Sequence, residues 1–203
     1  MTTVPQYKLP SDTHSAKDEQ HKYEKCHEIV MGYKAMNHLV KWLPTIYQLM
    51  SPVGSVIELG AGNGKALEEM AKNGLAVIGL DIAANAGMFE VAKKNPAVTA
   101  YQQCLWEPWG VSGDYFVTAD VMEHLPPGRI DEVMLRIKQN IRYGGFMQVC
   151  TVVDSTGRVR FGTPLHLTIQ SEEWWERKLM EHFTAVRKLT HAAPGQPNFW
   201  VNV

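Results

Sequence analysis

Apolar residues follow two rhythms along this chain. Up to about residue 50 the period is helical. Met36, Leu39, Val40, Leu43, Tyr47 and Met50 recur at steps of three and four and form one stripe. Pro44 interrupts it, because proline lacks an N–H and its ring crowds the preceding turn. The pattern predicts two short helices, or one kinked helix, between Glu19 and Met50, with Pro44 near the first turn of the second. Residues 1–20 carry Pro5, Pro10 and mostly polar side chains. They predict an arm without fixed structure.

From residue 55 onward short apolar runs alternate with amphipathic ones. Strands are predicted at 55–59, 76–82, 98–104, 115–119, 146–153, 184–189 and 199–203. Helices are predicted at 65–73, 88–94, 129–141 and 172–182. Gly74 ends the first of these helices, and Ser171 caps the last with Glu172 and Glu173 behind it. Gly144-Gly145 reads as the turn into the fifth strand. Such alternation implies an α/β fold, a doubly wound and mainly parallel sheet of seven strands. The last two strands lack an intervening helix, so they form a C-terminal antiparallel hairpin. The expected organisation is a flexible arm at 1–20 and a single domain at 21–203. Within it, 21–50 form a helical lid and 55–203 the core.

Composition narrows the class. The chain has 203 residues, 45% of them hydrophobic, and a net charge of -1. A disordered chain is excluded, and the charge argues against long nucleic acid as a partner. No apolar stretch reaches the ~18 residues of a membrane span, and no hydrophobic leader opens the chain. Cys26, Cys104 and Cys150 are too few and too widely spaced for a disulfide framework or a zinc site. The expectation is a cytoplasmic protein without a bound metal.

The strongest chemical signal is Glu58-Leu59-Gly60-Ala61-Gly62-Asn63-Gly64, between a strand and a helix. Glycines there let the backbone turn tightly and approach a ligand at the strand ends. A phosphate-binding P-loop is excluded, since Ala66 follows Gly64-Lys65 and Leu59 holds the leading glycine position. A dinucleotide fingerprint fits Gly60 and Gly62, but its third glycine position is Lys65. An acidic strand end followed by G-x-G-x-G resembles the first motif of the class I, Rossmann-like S-adenosylmethionine-dependent methyltransferases. Asp120-Val121-Met122-Glu123-His124 resembles the fourth motif of the branch that methylates small molecules.

That resemblance implies an enzyme with S-adenosyl-L-methionine as cofactor and methyl transfer to oxygen or nitrogen of a small molecule, sugar or nucleotide-like acceptor. It implies that Glu58, Gly60, Ala61, Gly62 and Gly64 surround the cofactor. Asp81 would take the ribose hydroxyls and Ile82 would pack on the adenine. Cys104 and Leu105 would neighbour the adenine, with Gln103 or Glu107 reading its amino group if packing alone does not hold it. Asp120 and Val121 would face the methionine end. Tyr33 and His124 are placed on the acceptor side, with Tyr23 and His27 further candidates from the lid. His166 is the candidate general base, and Asp154, Arg158 and Arg160 lie near it. Glu123-His124 resembles a metal or acid–base pair, yet neighbours on a regular element cannot both face one ion. Trp106, Trp109 and one of Trp174 and Trp175 could stack on a planar acceptor. Two other readings remain open, a nicotinamide-dependent oxidoreductase and a non-catalytic cofactor-binding module. Monomer and homodimer are equally compatible with the sequence.

Overall fold

A computed structural model describes residues 15–35, 37–51, 53–154, 157, 163–189 and 193–203, without the side chains of Tyr33 and Lys34. Helix α1 (Ala16–Ile29) starts where the Ser15 hydroxyl accepts from the Asp18 N–H at 3.1 Å. Asp18 and Glu19 then complement the helix dipole. Residues 16–20, expected in the arm, are therefore helical. Helices α2 (Met31–Ala35) and α3 (Leu43–Leu49) follow, and Pro44 sits in the first turn of α3.

The core alternates β1 (Val56–Leu59), α4 (Lys65–Lys72), β2 (Val77–Asp81), α5 (Met88–Lys94), β3 (Val98–Gln102) and β4 (Gly113–Ala119). It continues with α6 (Ile130–Asn140), β5 (Ile141–Gln148), α7 (Glu172–His182), β6 (Ala185–Lys188) and β7 (Asn198–Asn202). The seven strands lie in the order β3-β2-β1-β4-β5-β7-β6. All neighbours are parallel except β7, which runs antiparallel to β5 and to β6.

Side chains leave the strands alternately to two packed layers. Ile57 and Leu59 join Ile130, Val133, Met134 and Ile137 of α6 and Trp175 and Leu179 of α7. Val56 and Val77 join Leu43 and Ile46 of α3, Leu67 and Met70 of α4 and Met88 of α5. Helix α3, expected in the lid, thus packs on the sheet.

The fifth strand begins five residues earlier than its apolar run suggests. Gly144 and Gly145 lie inside it, paired with Tyr115 and Phe116 of β4. A Cβ on Gly145 would strike the carbonyl oxygen of Phe116, so this glycine marks close backbone approach within the sheet and no turn. The strand order reverses between β1 and β4: the chain builds outward from β1 to β3, then returns to start β4 on the other side of β1. Open parallel sheets hold their ligands at that crevice, beyond the carboxyl ends of the strands.

Candidate active site

A cavity of about 410 Å³ occupies this crevice. The ends of β1, β2 and β4 make its floor, through Glu58, Asp81 and Asp120. The turn after β1 is stitched to β2. Gly60 N–H and Ala61 N–H both donate to the Leu80 carbonyl, at 2.8 and 3.0 Å, and Gly62 N–H donates to Asp81 Oδ2 at 2.8 Å. Gly60, at φ 70°, has no room for a Cβ, which would meet the Val121 side chain. Gly60, Ala61, Gly62, Ile82, Leu105 and Val121 all line the cavity.

Gly64 does not line it. At φ 74° it starts α4, and its Cβ would lie 2.7 Å from Met88 Cα. Its task is to bring α4 against α5, which corrects its expected place at the cofactor. Cys104 is also absent from the lining. It is buried beside Leu105, and burial pushes its thiol up to about 12. The Gln103 amide donates to the Cys104 and Pro108 carbonyls, and neither Gln103 nor Glu107 reaches the cavity. The walls at this end are apolar, with Ile82, Leu105 and Trp106. Of the four candidate tryptophans only Trp106 lines the cavity; Trp175 is wholly buried and stacks edge-on with Trp174.

The floor carboxylates differ electrostatically. Burial pushes Glu58 up to about 8, with the Asn37 amide opposing the shift, and its Oε2 has no partner among the described residues. Burial also raises Asp81, against the N–H groups of Ala83 and Gly62 and the charge of His27. Asp120 adopts φ 53° and receives His38 Nδ1 on Oδ2 at 2.9 Å. Its Oδ1 is buried without a partner among the described residues. A non-glycine residue in this region costs about 1–3 kcal/mol and is held there by its surroundings.

The lining also includes Glu19, Tyr23 and His27 of α1, with His124 and His166. His166 Nδ1 lies 2.8 Å from the Val152 carbonyl. His124 Nδ1 lies 2.9 Å from the Tyr23 hydroxyl and 3.1 Å from the Leu165 carbonyl. Burial, with His166 close by, lowers His124 to about 3, so this imidazole is neutral. Asp154 spends its carboxylate on the N–H groups of Gly157 and Leu165 and braces the loop, so it is no free base. The Tyr33 side chain, Arg158 and Arg160 lie outside the described residues.

Two lining residues, Asn37 and His38, carry almost no signal in the sequence. Asn37 accepts from the N–H groups of Leu39 and Val40, and this turn delivers the neighbouring His38 to Asp120. An Asn just before an apolar periodic run is a capping signal, and it is the one trace this loop leaves in the residue pattern.

Comparison with known proteins supplies the family. Residues 33–192, well over half of the chain, match a family model described as a methyltransferase domain. The chain belongs to this methyltransferase family. No curated protein matches its sequence. Solved structures share the fold. The DhpI–SAH complex aligns with a TM-score of 0.69 at 16% identity, over 93% of this chain and 97% of that one. The 1,6-didemethyltoxoflavin-N1-methyltransferase of Burkholderia thailandensis, bound to 1,6-didemethyltoxoflavin and S-adenosylhomocysteine, aligns with a TM-score of 0.64 at 17% identity, over 95% and 92%. Magnesium protoporphyrin IX methyltransferase from Synechocystis, with bound SAH, aligns with a TM-score of 0.59 at 14% identity, over 96% and 90%.

The family match replaces the oxidoreductase reading. In this methyltransferase the matched segment contains the strand ends that floor the cavity, whereas α1, with Tyr23 and His27, precedes it. No helix among the described residues is long and apolar enough to cross a membrane.

Proposed function

We propose that this methyltransferase uses S-adenosylmethionine to methylate an oxygen or nitrogen atom of a small molecule. The carrying observation is one cavity lined by Glu58, Asp81 and Asp120 at the glycine turn and also by His124 and His166. The residues fit the cofactor's chemistry. The unpartnered, buried Glu58 Oε2 and Asp120 Oδ1 suit a ligand bearing an ammonium and a sulfonium. When bound, that cofactor supplies an activated methyl group, so the protein's work is alignment and exclusion of water.

Each Asp81 oxygen accepts one backbone N–H and keeps a lone pair for a ribose hydroxyl. Ile82, Leu105 and Trp106 hold the adenine by packing, since neither Gln103 nor Glu107 lines the cavity. Glu58 and Asp120 face the methionine end. A carbonyl only accepts, so His166 Nδ1 carries the proton and Nε2 its lone pair. That lone pair serves a hydroxyl acceptor as the base. Helix α1 covers the acceptor end as a lid.

Thermal melts test this reading. S-adenosylmethionine and its demethylated product should each raise the midpoint, as ligand linkage requires, while NAD leaves it unchanged. A shift with NAD alone overturns the proposal. No shift with any of the three would favour a non-catalytic partner module.

A further inference from the structure

His124, His166 and the buried Glu123 meet in an arrangement that methyl transfer by alignment does not require. His166 gives Nδ1 to the Val152 carbonyl at 2.8 Å, and His124 Nδ1 lies between the Tyr23 hydroxyl at 2.9 Å and the Leu165 carbonyl at 3.1 Å. His166 Nε2 is thereby left with a lone pair, and so is His124 Nε2 when the Nδ1 proton goes to the carbonyl. Backbone carbonyls hold metal-binding histidines in the same way, fixing the tautomer from the far side of the ring. The rings meet edge-on, 4.7 Å between centroids and 88° between planes.

Glu123 joins them. Its side chain is 0% exposed, and neither carboxylate oxygen has a partner among the described residues. Leaving such a group buried and unpaired is costly. One ligand atom from each of Glu123, His124 and His166 lies within 4.8 Å of the other two. On a regular helix or strand, adjacent residues would diverge. Here Asp120 turns the chain with its left-handed backbone, and a single turn of 3₁₀ helix (Met122–His124) brings Glu123 and His124 together. The same turn grips the His166 segment, because the Glu123 carbonyl accepts from Leu167 N–H at 2.8 Å and Thr168 N–H at 2.9 Å.

We infer that Glu123, His124 and His166 bind a divalent first-row transition ion, which in turn holds the acceptor's oxygen. The second clause rests on the methyltransferase reading; the first does not. Two imidazoles and one carboxylate are a borderline set, suited to zinc, iron, cobalt or nickel more than to magnesium or calcium, and three ligands leave positions open. Bonds of about 2.0–2.2 Å require the side chains to close by roughly an ångström on binding. A hydroxyl on the ion loses its proton to solvent more readily. Its oxygen then forms the bond to the methyl carbon as the sulfur–carbon bond breaks, and the electron pair stays on sulfur. The ion is unchanged. In the ion-bound protein His166 acts on the hydroxyl through the ion, and no direct proton transfer to it is needed.

Chelator-treated protein, titrated with zinc by calorimetry and with cobalt by visible absorption, tests the site. A second cluster, Asp131, Glu181 and His182 on the surface, could also take an ion, so the titrations are done in a His182→Gln background. The expected result is one ion per chain with cobalt bands of a histidine-containing site, and magnesium binding weaker by tenfold or more. Glu123→Gln and His166→Gln should each weaken zinc by at least tenfold. Glu123→Gln keeps the shape of the side chain, so it should fold, which its melting midpoint verifies. Full zinc binding in both variants, loss of all binding in His182→Gln alone, or tighter binding of magnesium overturns the site. Melts with S-adenosylmethionine, run without metal, separate the two readings. A cofactor shift with no zinc binding defeats the ion site alone; zinc binding with no cofactor shift leaves the site standing and defeats the methyltransferase reading.

Discussion

Asp120 Oδ2 and His38 Nδ1 stand 2.9 Å apart, and the aspartate holds that position from a backbone φ of 53°. The carboxylate raises the imidazole above its ordinary pKa of 6.5, chiefly through this hydrogen bond. A raised histidine stabilises the fold fully below its unfolded value, and the contribution is lost as pH rises through the folded value. Asp120→Asn should bring His38 back toward 6.5 and remove that part of the pH dependence. Asparagine tolerates the left-handed region, so the backbone should survive the change. An imidazole NMR titration checks it; an unmoved His38 means that Asp120 does not control its charge.

Glu58 predicts a proton. Its carboxyl is raised by burial from 4.5 to about 8, so at pH 7 most of it is neutral. A raised carboxyl favours the folded state most below 4.5, and this advantage declines as pH climbs to about 8. Glu58→Gln should flatten stability between those limits. A cationic ligand should draw Glu58 to its charged form, so cofactor binding at pH 7 should release a proton. Calorimetry in buffers of different ionisation enthalpy reads that release, which Glu58→Gln should abolish. Identical enthalpies across buffers in the wild type would remove Glu58 from the cation pocket.

Two glycines separate folding from binding. Gly64→Ala forces a side chain into φ 74° and against Met88, away from the cavity. It should cost about 2 kcal/mol or more and leave ligand affinity of the folded fraction intact. Gly60→Ala drives its Cβ into Val121 on the cavity wall, so both stability and affinity should fall. Paired denaturant melts and cofactor titrations distinguish the cases.

Asp81 and His166 should divide the kinetic parameters. Asp81→Ala removes charged hydrogen bonds of about 1.5–3 kcal/mol each, which corresponds to a tenfold or larger loss of cofactor affinity. It also frees the Gly62 and Ala83 N–H groups, so the ligand-free melt should drop too. His166→Ala should lower kcat by about 100-fold with cofactor affinity retained. Wild-type turnover in that variant would make His166 a structural residue.

Features that are consecutive in the chain are legible in the residues themselves. Glu58, Gly60, Gly62 and Asp81 end or follow strands, and local spacing carries their geometry. Gly64 shows the limit of this logic: it continues the pattern and shares the backbone conformation, yet it serves the packing of α5. Helix α1 falls mostly within the helical span read from Glu19 to Met50, but its start at Ala16 and its break from α2 leave little trace in the residues. Its buried residues include Glu19 and His27, both of which line the cavity. A helix that buries polar side chains has no apolar stripe to announce it. His38 is invisible because its partner is remote in sequence and no periodicity links them. The double glycine in β5 looks like a turn, since only the neighbouring strand reveals how closely two backbones pass.

The strand order has a kinetic consequence. β6 precedes β7 in the chain, yet it reaches the sheet only through β7, which inserts between it and β5. Until β7 is in place, β6 has no partner and β5 exposes an open edge. Such edges invite association with other chains. During synthesis, the β3-to-β5 half can assemble first, while the vulnerable interval lasts until residues 198–202 have docked. Substitutions in β7, although far from the glycine turn, should therefore show their effects first as aggregation during expression.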